Sequence, residues 1–132
     1  MQEDTSVRLD HIAVSANTEE QADRFFGRLL GLQQVRSFSV PAGMMLALFG
    51  IERESRVLRY AGSGPDVEVF ITGDDSRAAD PYTHSCLLVP DREALCRRAE
   101  AMGLSVVRAT KASGDGTVVF VSDYYGNRYE IK

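Results

Sequence analysis

Leu9-Asp10-His11-Ile12-Ala13-Val14 decides the fold, because Tyr82-Thr83-His84-Ser85-Cys86-Leu87-Leu88-Val89 opens the same series again further along the chain. Setting His11 on His84 gives an offset of 73, and the later Gly31-Leu32 falls on Gly103-Leu104 at an offset of 72. A slip of one residue over such a span is what a duplicated unit with a shortened loop leaves behind. Each copy starts with a strand, covering residues 7–14 in the first and 82–89 in the second. A helix follows. In the first copy Thr18 and Gln21 form a capping-box pattern, and Ala22, Phe25, Phe26, Leu29 and Leu30 recur at helical spacing up to Gly31. In the second, Asp91 caps a helix whose Ala94, Leu95, Ala99 and Met102 share a face that stops at Gly103, while Arg92, Arg97 and Arg98 mark a solvated face.

Three further strands complete each copy, predicted over residues 33–40, 56–61 and 66–72 and then over 105–110, 117–122 and 128–131. Ser63-Gly64-Pro65-Asp66 and Ser113-Gly114-Asp115-Gly116 supply turns. The unit is β-α-β-β-β, twice. Met44-Met45-Leu46-Ala47-Leu48-Phe49 is extra to it. With Pro41 before this apolar run and Gly50 after it, the punctuation predicts a short inserted helix, suited to lining a pocket or an interface. Residues 74–81 are small and polar and read as a linker between module 1 (7–73) and module 2 (82–132). Neither module is long enough for a comfortable core of its own, so a single domain over residues 1–132 is expected. The fold class predicted is α+β, with two βαβββ modules forming an open curved sheet or half-barrel.

The 132 residues carry 15 Lys and Arg against 19 Asp and Glu, a net charge of -4. There is no basic field to attract nucleic acid. No apolar run approaches the roughly 20 residues that cross a bilayer, and Met1-Gln2-Glu3-Asp4-Thr5 resembles neither a signal nor a transit peptide, so a cytoplasmic protein without a membrane partner is expected. Cys86 and Cys96 match no zinc-ligand spacing and are expected to act as small hydrophobes.

The chain has two histidines, and both fall at the same place in the repeat. The last strand of each copy also holds one acid between apolar residues, Glu68 in Val67-Glu68-Val69 and Glu130 in Tyr129-Glu130-Ile131. Side chains on a strand alternate between faces. His11 therefore opposes Ile12 and Val14, Glu68 opposes Val67 and Val69, His84 opposes Leu87 and Val89, and Glu130 opposes Tyr129 and Ile131. If the aliphatic faces pack on the helices, all four polar groups emerge on the other, concave face. Two imidazoles and two carboxylates suit zinc, nickel, cobalt, manganese or iron(II), and two carboxylates balance a dication. A lone strand His is ordinarily a hydrogen-bonded core or surface residue and a lone mid-strand Glu a solvent-facing one; four at matching places in a repeat point to a metal site at His11, Glu68, His84 and Glu130.

With these residues in place, the chain resembles the vicinal oxygen chelate superfamily, also called the glyoxalase/bleomycin-resistance/extradiol-dioxygenase fold. The resemblance rests on Leu9-Asp10-His11-Ile12-Ala13-Val14 with Phe25-Phe26 and Leu29-Leu30-Gly31-Leu32, and on Asp123-Tyr124-Tyr125-Gly126-Asn127-Arg128-Tyr129-Glu130-Ile131. It implies a divalent metal inside the barrel that chelates two adjacent oxygens of a small-molecule substrate. The pattern of lactoylglutathione lyase places ligands at His11, Glu68, His84 and Glu130, with Glu130 and Glu68 as candidate catalytic bases for proton transfer next to a carbonyl, a lyase or isomerase reaction. The extradiol dioxygenase pattern uses His11, His84 and Glu130 with iron(II). The bleomycin-binding pattern keeps the fold without the metal. The modules of such proteins pair within one chain or across a homodimer, and a homodimer is the expectation here. Tyr124 where the family usually has Pro, and the inserted 41–50 segment, depart from the pattern.

Overall fold

The computed structural model describes residues 9–79, 82–111 and 113–132. Its first module runs β1 (His11–Ala16), α1 (Glu19–Ala22, continuing as wider turns over Asp23–Leu29), β2 (Gln33–Val40), α2 (Ala42–Phe49), β3 (Ser55–Ala61) and β4 (Asp66–Ile71). The second runs β5 (His84–Leu87), α3 (Arg92–Ala101), β6 (Val106–Thr110), β7 (Thr117–Ser122) and β8 (Arg128–Ile131). Each module makes a four-stranded sheet, ordered β1-β4-β3-β2 and β5-β8-β7-β6. In both, the first strand lies parallel to the last and the other neighbours are antiparallel. The duplication extends to register: His11 faces Asp66 and Ala13 faces Glu68, as His84 faces Arg128 and Cys86 faces Glu130.

The expected α+β class with paired βαβββ modules is what the chain adopts. β5 is shorter than the predicted 82–89 because its one partner among the described residues, β8, is four residues long, so the ladder runs out with it. β1 begins at His11 and runs past Val14 to Ala16, following β4 to Ile71; the predicted start at residues 7 and 8 lies outside the described residues. The inserted segment is helical as predicted, ending at Gly50 with φ of 74°.

The first helix differs from expectation. Thr18 Oγ1 accepts from Gln21 N at 3.1 Å, but Gln21 Oε1 is buried without a partner among the described residues, so the reciprocal arm of the capping box is missing. From Asp23 onward the helix widens to π turns, with Leu30 N donating to Phe25 O five residues back. Adjacent Phe25 and Phe26 both have to reach the interior, each 1% exposed. One ring lies on Tyr129 at 5.0 Å between centroids and the other on Tyr60 at 5.5 Å. Gly27 makes room for this turn, since a Cβ there would sit 2.8 Å from Asp23 Oδ1.

The interior is one apolar cluster shared by the modules, in which Phe25, Phe26 and Leu29 meet Leu95, Cys96 and Ala99 of α3 and the inward residues of both sheets. Arg98 and Arg97 are exposed as expected, whereas Arg92 is half-buried because it donates to Thr117 O at 3.0 Å. Cys96 is the buried small hydrophobe predicted; Cys86 is exposed, because residue 86 falls on the same strand face as His84. Among the described residues no helix is long and apolar enough to cross a membrane.

Asp91 Oδ1 accepts from Ala94 N at 3.0 Å and closes the start of α3. Asp91→Ala is expected to cost about 1 kcal/mol, read as a lower urea midpoint with an unchanged slope.

Candidate functional site

β1 and β4 lie side by side, so His11 at the start of one and Glu68 within the other come together on the face away from the core. His11 Nε2 stands 3.3 Å from Glu68 Oε1, with the two side chains 37% and 15% exposed. The other ring nitrogen, Nδ1, lies 2.8 Å from Asp10 Oδ2. In the tautomer with the ring proton on Nδ1 toward Asp10, the Nε2 lone pair points at Glu68, the outer-shell arrangement that orients metal-binding histidines. Two lone-pair atoms at that separation repel unless a cation or proton lies between them. Ligands at roughly 2.1 Å from a divalent ion in adjacent positions are themselves about 3 Å apart, so this pair has the bite such an ion requires.

Arg59 of β3 reaches across the same corner. Its guanidinium meets Asp66 Oδ2 at 2.7 Å, Asp10 Oδ2 at 3.1 Å and Glu68 Oε2 at 3.3 Å. The hydrogen bond from His11 and the Arg59 guanidinium hold the Asp10 carboxyl below the usual carboxylate range. Three carboxylates against one guanidinium leave this corner with a formal charge of -2, which complements a dication.

The second module places His84 and Glu130 at the equivalent strand positions, with different neighbours. His84 Nδ1 is 2.9 Å from Tyr82 O, which again leaves Nε2 as the outward nitrogen. The His84 ring meets Phe120 edge-on at 5.1 Å. Phe120 faces Glu130 across β7 and β8, the place that Arg59 takes opposite Glu68. Lys132 Nζ, 3.8 Å from Oε2, is the ion-pair partner of Glu130 among the described residues. The first corner is thus pinned by charge and the second is flanked by an aromatic ring.

The expected strand parity holds at all four positions, with Ile12, Val14, Leu87 and Val89 packed on the core that includes Val67, Val69, Tyr129 and Ile131. The structure brings His11 to Glu68. It does not gather all four: among the described residues no group of three or more His, Cys, Asp or Glu side chains is placed to hold one ion within the chain. Arg59, Asp10 and Asp66 were missed at the level of sequence. Counting outward from the Ser63-Gly64-Pro65 turn sets Tyr60 opposite Glu68, whereas the register centres between Ser63 and Gly64 and puts Arg59 there.

Two βαβββ modules, each presenting a histidine from its first strand and a glutamate from its last on the non-core face, define a paired-module fold, and in the first module the two side chains meet. The model of the Glyoxalase/Bleomycin resistance protein/Dioxygenase superfamily matches residues 8–131, and the chain belongs to that superfamily. No curated sequence matches it significantly. Among solved structures it is similar to a glyoxalase family protein from Bacillus cereus, with TM-score 0.73, 15% identity and coverage of 99% of this chain and 96% of the other. It is also similar to the trypanothione-dependent glyoxalase I of Leishmania major, with TM-score 0.70, 19% identity and coverage of 96% and 86%. The fosfomycin resistance protein FosX from Listeria monocytogenes gives TM-score 0.70 at 14% identity over 96% and 93%. At such identities the likeness is one of fold.

Proposed function

We propose that the protein is a divalent-metal-dependent lyase or isomerase of the glyoxalase type, moving a proton at a carbon next to a carbonyl of a small-molecule substrate. Its working unit is a homodimer in which His11 and Glu68 of one chain share an ion with His84 and Glu130 of the partner subunit. The observation that carries this reading is the repeated placement of a histidine and a glutamate: each histidine is anchored through Nδ1, and His11 Nε2 faces a carboxylate oxygen at 3.3 Å. Among the described residues one chain does not gather three such groups by itself, and a second copy would bring the missing ligands. Exposed Leu88 and Val107 in the second module, 83% and 56% exposed, offer apolar surface to that copy. A FosX variant has been solved with manganese(II) and a dihydroxypropylphosphonic acid, in a structure similar to this chain at TM-score 0.68.

The bound ion would serve as a Lewis acid toward the substrate carbonyl. The chain's own residues then divide the work. Glu68 stays in place, since Arg59 holds its second oxygen. Glu130, with its ion-pair partner at 3.8 Å, is the carboxylate able to move. It takes the proton from the carbon beside the carbonyl and, where that carbon bears a hydroxyl that becomes the new carbonyl, returns it to the former carbonyl carbon.

Elemental analysis of protein purified without added metal is expected to give one divalent ion per chain, lost in both His11→Ala and His84→Ala. Co-expressing these two variants is the sharper measurement. A mixed dimer with shared sites has one intact site and regains about half the metal, whereas sites confined to single chains regain none, which would overturn the homodimer reading. The Arg59 contact favours a second reading, an iron(II) dioxygenase that uses His11, His84 and Glu130 alone. Full metal content in Glu68→Gln, together with oxygen consumption, would select it.

A further inference from the structure

Along the non-core face of the first sheet, the strands continue past the half-site under α2. Met45 and Val57 are buried, at 4% and 0% exposure, yet neither belongs to the main core. They form a second, smaller apolar layer, completed by Phe49, whose ring meets Phe70 edge-on at 5.4 Å. Between helix and sheet lies a cleft of about 230 Å³ with Ala13, Met45, Phe49, Ile51 and Phe70 in its wall. Ala13 sits across from Glu68, two residues beyond His11, so the cleft opens about 7 Å along the strand from the half-site. Among the described residues the second module has no counterpart, since no helix stands between β6 and β7.

We infer that this cleft receives a phenyl-sized apolar substituent of the substrate, so that the compound turned over is an aryl- or branched-alkyl-bearing carbonyl compound and not a bare short-chain one. The inference rests on the function proposed above for the carbonyl end, and on the cleft alone for the substituent. An apolar cavity of about 150 Å³ is sufficient for benzene; the larger volume here leaves room for a ring and the one or two carbons that link it to the carbonyl.

Binding of phenylpyruvate and pyruvate, followed by calorimetry on the full-length protein with and without zinc, tests this. Burial of the ring is expected to make phenylpyruvate bind about 10- to 100-fold more tightly than pyruvate. Ala13→Leu, at an exposed strand position facing the cleft, is expected to remove that advantage while leaving the metal content unchanged. Phe49→Ala, on the outer side of the cleft, is expected to reduce it independently. Equal affinity for the two compounds, or a phenyl advantage that survives both substitutions, would overturn the inference. Zinc that tightens both compounds without a phenyl preference would leave the metal reading standing and remove this one. A phenyl preference abolished by Ala13→Leu but indifferent to zinc would keep the cleft and remove the metal reading.

Discussion

Glu130→Gln is expected to lower kcat by about 10²- to 10⁴-fold, the range that a positioned proton-transfer group contributes. An amide can still offer an oxygen to an ion but cannot carry the proton. Exchange of the hydrogens beside the carbonyl of phenylpyruvate in D₂O, followed by NMR on zinc-loaded protein, reads this step directly above its uncatalysed background. Metal content has to be measured on the same sample, because Glu130 is also a proposed ligand. An exchange rate lost with the ion still bound separates base from ligand. Glu68→Gln is expected to have the smaller effect on exchange and the larger one on the order of the first corner, since Arg59 holds the second Glu68 oxygen at 3.3 Å and bridges from there to Asp66 and Asp10. Full exchange activity in Glu130→Gln would end the proton-transfer mechanism.

What could be read from the chain and what could not divide along a physical line. Alternation along a strand is local, so the side of the sheet on which His11, Glu68, His84 and Glu130 emerge follows from their immediate neighbours, and the structure agrees at each. Caps and glycine stops are local too, and Asp91, Gly50 and Gly103 mark the ends they were expected to mark. The π turns over Asp23–Leu29 answer to a distant demand: Phe25 and Phe26 have to fit against Tyr129 and Tyr60, which arrive from other strands. Cys86 was misread for a related reason. Its neighbours are apolar, but its parity with His84 places it on the open face, and parity outweighs composition on a strand. Arg59 lay beyond sequence reasoning, because the turn residues fix the hairpin register only to within a position or two and a charged residue next to Tyr60 reads as an ordinary solvent position until its cross-strand partners are known. Whether the two His and Glu pairs meet was beyond any such reasoning, because periodicity gives the face of each sheet and says nothing about the distance between two sheets.

Asp123→Ala is expected to cost roughly 3 kcal/mol, a loss on the order of 10 °C in Tm, because several donors lose their acceptor at once. Asp123 is 8% exposed at the turn between β7 and β8. Its Oδ1 accepts from Tyr125 N at 3.0 Å and Asn127 N at 2.9 Å, while Oδ2 accepts from Asn127 Nδ2 at 2.8 Å and Tyr129 OH at 2.9 Å. The same Asn127 amide donates to Ser15 O of β1 at 2.9 Å, so this turn also ties the second module to the first. Burial pushes the Asp123 carboxyl above its ordinary value of 3.8, against the pull of those four donors. A raised value means that the folded protein binds this proton more tightly than the unfolded chain does, so stability falls as pH rises from near 3.8 through the raised value and levels off above it. The Asp123→Asn protein lacks this titration. Urea unfolding of both proteins across that range is therefore expected to show wild type losing stability relative to Asp123→Asn as pH rises. A relative gain instead would mean that the four hydrogen bonds outweigh burial and that the folded turn prefers the charged carboxylate.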